Sequence, residues 1–324
     1  MVRVINLLML AAILLLALLS SPALGDDALK RELVEGMSEI ELPVLARYQE
    51  LGLMHKQILI TLQTLPAKEI TSTTKKWVNI AAGPNGIIQK FDEINNLASG
   101  DDPGSHKTAM TRAIELKSDI DSLKGYKQAK DNFITSYPET ALQHFFADQG
   151  AYFETLAENA TDTRVAIDYY EQALIAYREA ADLTKTTYID LKVKEIKSEY
   201  EFDMETLNES LAIGVAKFEQ SEHGTNHSGN PIAVSIGVLA SKRAGREFAT
   251  VYEIYTKHGD VRASDIEEKI IEVDYIHSNL VGVFLKYAAA VVTAFVLFLV
   301  TVLGRLFRWG RAVEDTMLGN EVIR

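Results

Sequence analysis

The chain of 324 residues contains no cysteine. That excludes disulfides, thiolate metal sites and a lipid-modified Cys behind a signal sequence. Proline is scarce, seven in all, and aromatics make up only 8%. Ala, Leu, Glu, Lys and Ile are plentiful, a composition that favours helix over a strand-rich sandwich. Basic charge is outnumbered, 33 Lys and Arg against 45 Asp and Glu, for a net charge of −12. Nucleic acid demands a basic face and is excluded as a partner on that ground. The acidity reads as a solvated surface, or alternatively as adaptation to high salt or to cations. Catalytic signatures are missing too: no HExxH, no glycine fingerprint behind a strand, no nucleophile elbow. His55, His106, His144, His223, His227, His258 and His277 are scattered singly. The sequence nominates no catalytic residue, no cofactor and no metal, and the expectation is a protein that is not an enzyme.

What the chain does contain is apolar length at both ends. Residues 287–303 run YAAAVVTAFVLFLVTVL, seventeen positions without charge, Gly or Pro. Lys286 precedes the run, and Arg305, Arg308, Trp309 and Arg311 follow it. This predicts a membrane-spanning helix whose flanking cations and tryptophan lie at the membrane–water interface. Residues 1–25 have the parts of a secretory signal peptide: Arg3, an apolar stretch over 7–19, and small Ala23 and Gly25 ahead of Asp26. An uncleaved anchor would give the same orientation, because Arg3 and the arginines after the span both stay inside. Residues 26–263 are then expected outside the cytoplasm. Residues 264–308 form a juxtamembrane helix continuing into the span, and 309–324 a short cytoplasmic tail. The stripe Ile266, Ile270, Val273, Ile276, Leu280, Val283 and Tyr287 leads into the apolar run without a proline. Ser264 and Glu267 have capping-box spacing at its start. Ala290 and Ala294 have the small-residue spacing that permits close helix approach.

Between the two ends the periodicity is helical throughout. Pro43 interrupts the first such region, with Ser38 and Glu41 at capping-box spacing just before it. Gly83-Pro84-Asn85-Gly86 marks a turn. Residues 99–105 form a loop in which Asp101 and Asp102 lack the alternating pattern of a calcium site. A helix from His106 to Leu123 follows. Neither Gly nor Pro occurs between Ala151 and Ile213, and the expected break there is 159–163, rich in capping residues. Apolar positions then step by three or four from Ile189 to Phe218. That stripe packs within its own domain or forms a seam with a second subunit, which would make a homo-oligomer. Residues 221–231 read as an exposed polar loop. His223 and His227 are four apart, a spacing that suits metal on a helix, but Gly224 and Gly229 argue against a helix there. A further helix covers about 232–258. Asn159, Asn208 and Asn226 begin N-glycosylation sequons; Asn159 and Asn226 fall in expected loops and Asn208 in the long helix.

The stretch Ala166-Ile-Asp-Tyr-Tyr-Glu-Gln-Ala-Leu174 resembles the second helix of a tetratricopeptide repeat, with Ala166, Tyr170 and Ala173 at the positions that pack the two helices of the hairpin. A fainter counterpart lies thirty-seven residues earlier in Gly125-Tyr126, Ala129 and Phe133, near the family's period of about 34. The resemblance covers roughly residues 125–183. It implies stacked helical hairpins that bind other proteins. The same alternation of small and aromatic residues also packs any antiparallel helical hairpin.

The expected architecture is all-α: an extracytoplasmic helical bundle or array of helical hairpins on one carboxyl-terminal transmembrane helix. The expected role is protein–protein interaction or scaffolding at the cell membrane, with the lipid bilayer and other membrane or cell-surface proteins as partners. The alternative is a sensory or ligand-binding ectodomain, or an accessory subunit of a membrane complex.

Overall fold

In a computed structural model the described residues are 23–321, with side chains described over 27–311; of the expected signal peptide, 1–25, residues 1–22 lie outside them. The fold is all-α, and among the described residues there is no strand. The helices are α1 (Ala23–Ser38), α2 (Pro43–Arg47), α3 (Gln49–Thr64), α4 (Ser72–Ala82), α5 (Ile87–Leu97), α6 (Pro103–Lys124), α7 (Lys127–Asp131), α8 (Ser136–Asn159), α9 (Thr163–Glu179), α10 (Leu183–Asn226), α11 (Pro231–Lys257) and α12 (Ala263–Glu321). A 3-10 turn, Ala67–Glu69, sits between α3 and α4. The chain divides into two compact units. One runs to Ala160 and resumes over Val165–Lys194; the other comprises Thr161–Arg164 and everything from Glu195 on.

The first unit is built from short helices because its breaks are chemically explicit. Thr71 caps α4, accepting from the Thr73 N–H, while Thr74 Oγ1 accepts from the Thr71 N–H. Asp102 caps α6 by accepting from the Gly104 and Ser105 N–H groups, so the acidic loop serves the helix. The expected box at Ser38 and Glu41 does not form. Ser38 Oγ donates to the Val34 carbonyl within α1, and α2 starts at Pro43 behind Leu42, which gives no side-chain cap. The orphan Val44 N–H instead reaches the buried Asp92 carboxylate from α5 at 3.3 Å. Trp77, Phe91, Phe145, Phe146 and Phe153 are fully buried and form much of the core. Trp77 Nε1 donates to Gln128 Oε1 at 3.0 Å, and Thr74 Oγ1 donates to the same oxygen at 3.1 Å. The buried His106 has both ring nitrogens engaged, by Gln149 and the Gly100 carbonyl, each at 2.7 Å, and stacks on Tyr152.

The tetratricopeptide-like residues fall in this unit. Ala166, Tyr170 and Ala173 are buried on α9. Of their earlier counterparts, Ala129 is buried inside a helix of only five residues, Gly125 and Tyr126 precede it, and Phe133 beyond it is exposed with φ of 57°. Gly150 lies where a Cβ would stand 2.6 Å from the Tyr177 ring, so its bare backbone lets α9 close on α8. The break at 159–163 occurs as expected, but a second follows at 180–182, where Ala181 has φ of 58° and Asp182 accepts from the Lys185 N–H to start α10. Without Gly or Pro, only that Asp signals it.

The second unit consists of Thr161–Arg164, the rest of α10, α11 and α12. Leu207, Ala244, Phe248, Val251, Ile254, Tyr255, Ile266 and Val273 form its core. Residues 221–231 differ from the expected open loop. The helix α10 continues through Gly224 to Asn226, and Ser221 and Gly224 are buried. A Cβ on Gly224 would lie 2.9 Å from the Gly237 Cα and the Ala233 carbonyl oxygen, so this glycine permits contact between α10 and α11 and does not break the helix. On the other side of α11, Gly237 packs against Leu280 of α12, and Ser241 Oγ bonds His277 Nδ1 at 2.8 Å. The Ser264–Glu267 box is also absent: Ser264 Oγ donates to the Val261 carbonyl, and Asp260 accepts from the Arg262 N–H. From Ala263 the chain is one helix to Glu321, continuing past Arg308. Its segment Ala263–Arg311 is long and apolar enough to cross a membrane, and the most apolar part is not buried inside the protein.

Candidate functional site

In the first unit α1 runs beside α4, and the chain between α1 and α2 leaves an open cleft of about 370 Å³. Leu33, Met37, Ile40, Leu42, Val78 and Ile88 line it, and the Lys75–Glu32 ion pair stands at its rim, 2.8 Å between Nζ and Oε1. Leu42 also lines a wider, shallower cleft of about 730 Å³ along α2 and α3, with Pro43, Leu45, Ala46, Gly52 and Leu53. His55 lies in this second cleft, its Nε2 bonded to the Met37 carbonyl at 2.7 Å. Leu53 is 49% exposed. The two clefts share Leu42; their apolar lining is joined by Asn79 and Gln89 in the first and by Glu41, Gln49 and Lys56 in the second.

The second unit contains an arrangement that no spacing of residues along the chain reveals. His258 is buried at the end of α11, with Nδ1 2.9 Å from Thr163 Oγ1 and Nε2 2.9 Å from Asp203 Oδ2. Hydroxyl, imidazole and carboxylate are thus linked in the order used for nucleophilic catalysis. The neighbouring groups argue for a clamp instead. The Thr163 N–H donates to the His258 carbonyl at 3.2 Å and the Arg164 N–H to Asp162, so the amides that could polarise a substrate carbonyl are occupied. Tyr200 packs edge-on against the imidazole, and Lys257 holds the same Asp203 oxygen at 2.6 Å. Lys257 first, then His258, keep the Asp203 carboxyl below its ordinary range against the opposing effect of burial. Beside it, Asp260 takes two hydrogen bonds from the Arg262 side chain and one from Arg164. Its pKa is lowered to about 2, chiefly by the Arg262 hydrogen bonds.

Linkage fixes the sign of the resulting pH dependence. A carboxyl with a depressed folded pKa stabilises the fold above its unfolded value, and that stability is lost as pH falls through the folded value. The stabilisation from Asp260 should therefore be full and independent of pH near neutrality, and unfolding of the second unit should become easier from the ordinary aspartate range down to about 2. Acid titration followed by circular dichroism checks this. Asp260→Asn is expected to lower stability at pH 7 and to remove the Asp260 contribution to the acid limb.

The residues singled out from the sequence are dispersed. Lys286, Arg305, Arg308, Trp309 and Arg311 are exposed along α12. Asn159 is exposed at the end of α8, with Nδ2 donating to the Thr155 carbonyl; Asn208 is exposed in the middle of α10; Asn226 is exposed as its last residue. The His223 and His227 rings lie 4.1 Å apart, and His227 Nδ1 bonds the His223 carbonyl. Among the described residues, no three His, Asp or Glu side chains stand together as metal ligands would. Thr163, Asp203 and His258 are 40 and 55 residues apart in the chain, and no spacing rule joins them. No family model, no curated protein and no solved structure matches the chain.

Proposed function

We propose that the protein is a single-pass membrane protein whose helical region, held outside the cytoplasm, binds another membrane or cell-surface protein and serves as a scaffold. The observation that carries this reading is the pair of open clefts that share Leu42, with the exposed Leu53 among their lining residues. It suits a docked apolar helix face better than a small polar substrate. The positions Ala166, Tyr170 and Ala173 on α9 support a hairpin of the tetratricopeptide kind, an architecture suited to the same task. In this reading the cations from Arg305 to Arg311 lie on the cytoplasmic side of the span. The protein acts by binding, not by catalysis. A sensory role is favoured by one feature only, the unbroken passage of α12 from the second unit's core into its apolar run.

The test is a photo-crosslinking amino acid placed at Leu53 in the full chain in native membranes, with Tyr188 as an exposed control in the same unit. The expected result is a discrete protein adduct from position 53 and none from 188. No adduct, or the same adducts from both positions, would overturn the reading.

A further inference from the structure

We infer that the turn between α10 and α11, together with the first turn of α11, is a second membrane contact seated in the lipid headgroup layer, with Ile232 as its apolar anchor. The inference rests on the reading of α12 as a membrane span. Its geometry begins at Tyr287, the first residue of the apolar run, whose hydroxyl donates to the Ser228 carbonyl at 2.8 Å. That bond ties the turn to the point where α12 becomes continuously apolar. The packing of α11 on α12 gives the same level independently. Ser241 meets His277, and Gly237 meets Leu280, so moving toward the start of α11 moves toward the span. Ile232 is five residues beyond Gly237, about 7.5 Å, and therefore lies level with Leu285 and Lys286.

The surface there has the character of a lipid contact. Ile232 is 70% exposed, Leu239 71% and Ile236 45%, all three on one face of α11. The fourteen residues from Ser228 to Ser241 include no Asp, Glu, Lys or Arg, in a chain with 24% charged residues. Charge returns on the same helix at Lys242, Arg243 and Arg246, all exposed and farther from the turn. The span itself leaves room for the contact. Seventeen apolar residues supply about 26 Å of a hydrocarbon core about 30 Å thick. The exposed Leu306 and Phe307 lengthen it at the far end, so on this side the hydrocarbon begins near Tyr287 and Lys286 holds its ammonium among the headgroups. A headgroup layer of about 5–7 Å then reaches the turn and Ile232. Leu239 lies above it.

The absence of native cysteine makes the test direct. The full chain is placed in phosphatidylcholine nanodiscs with an environment-sensitive fluorophore on Ile232→Cys, Lys242→Cys or Val296→Cys, positions whose side chains are exposed. Each is challenged with nitroxide-bearing lipid and, separately, with aqueous iodide. The expected result is that labels at 232 and 296 lose most of their emission to the lipid quencher while the label at 242 responds to iodide alone. Quenching at 296 with 232 responding only to iodide would overturn the headgroup contact and leave the span intact. A label at 296 untouched by lipid quencher would overturn the span, and the contact with it. A label at 232 shielded from both quenchers would assign the Ile232 face to a protein neighbour and overturn the lipid assignment. A glycan found on Asn226 by peptide mass mapping would also overturn it, since so bulky a group cannot share the headgroup layer with the turn.

Discussion

Trp77→Ala is expected to destabilise the first unit by about 3–5 kcal/mol, the range for emptying a buried aromatic site. The indole is fully buried on α4. Its removal leaves a cavity that neighbours held on separate packed helices fill only in part. The loss is polar as well, because Gln128 Oε1 accepts from both Trp77 and Thr74 and would keep only the second. Trp77→Phe separates the two effects. It retains most of the apolar volume and removes the N–H, so about 1–2 kcal/mol is expected from the weakened hydrogen bonding. Since single domains hold only about 5–15 kcal/mol in total, the alanine variant should show a large fall in urea midpoint and early hydrogen exchange in α4 and α7. An unchanged midpoint would mean that α4 does not belong to the cooperative core of that unit.

Gly259→Ala should be the most damaging small substitution in the second unit. Gly259 has φ of +65°, where an L side chain costs roughly 1–2 kcal/mol. A Cβ there would also lie 2.3 Å from the Thr161 carbonyl oxygen and 2.8 Å from its carbon. These are backbone atoms, so relief requires moving the strand of chain that carries Thr163. That motion weakens the Thr163–His258 backbone hydrogen bond and the hydroxyl–imidazole contact beside it. A total loss of about 3 kcal/mol follows from strain plus one or two weakened hydrogen bonds. Gly36→Ala is the matched control. A Cβ at Gly36 meets nothing within 4 Å, and the residue lies inside α1, so the same chemical change there should stabilise by about 0.5–1 kcal/mol. Urea unfolding of the two variants should shift in opposite directions.

Much of the helical pattern could be read from the residues themselves. The turn at 83–86 and the break at 159–163 are encoded locally, by Gly, Pro and capping side chains, and both occur. The uninterrupted passage of α12 into its apolar run follows from a stripe with no proline. What escaped has physical causes of two kinds. Gly224 looks like a helix breaker because intrinsic propensity is local; its actual use is steric, and depends on Gly237 thirteen residues later. Ala181 adopts a left-handed conformation that alanine does not favour, so no propensity points to it. The two clefts were hidden in part by their own residues. Leu53 follows the same helical periodicity as the buried Leu51, Met54 and Ile58 around it, and that periodicity does not say that a neighbouring helix covers those three and leaves Leu53 exposed. The His258 cluster joins three distant segments of chain, a relation that exists only after folding.

The length of α12 has a mechanical consequence. Fifty-nine residues in one helix extend about 88 Å along its axis. Such a rod can bend gently, but it shortens only by breaking its internal ladder. Val273, held in the second unit's core, and Val296, in the apolar run, lie twenty-three residues apart on it. A push along the axis or a twist about it, applied by α11 at Val273, therefore arrives at Val296 nearly undiminished, whereas a flexible linker would absorb both.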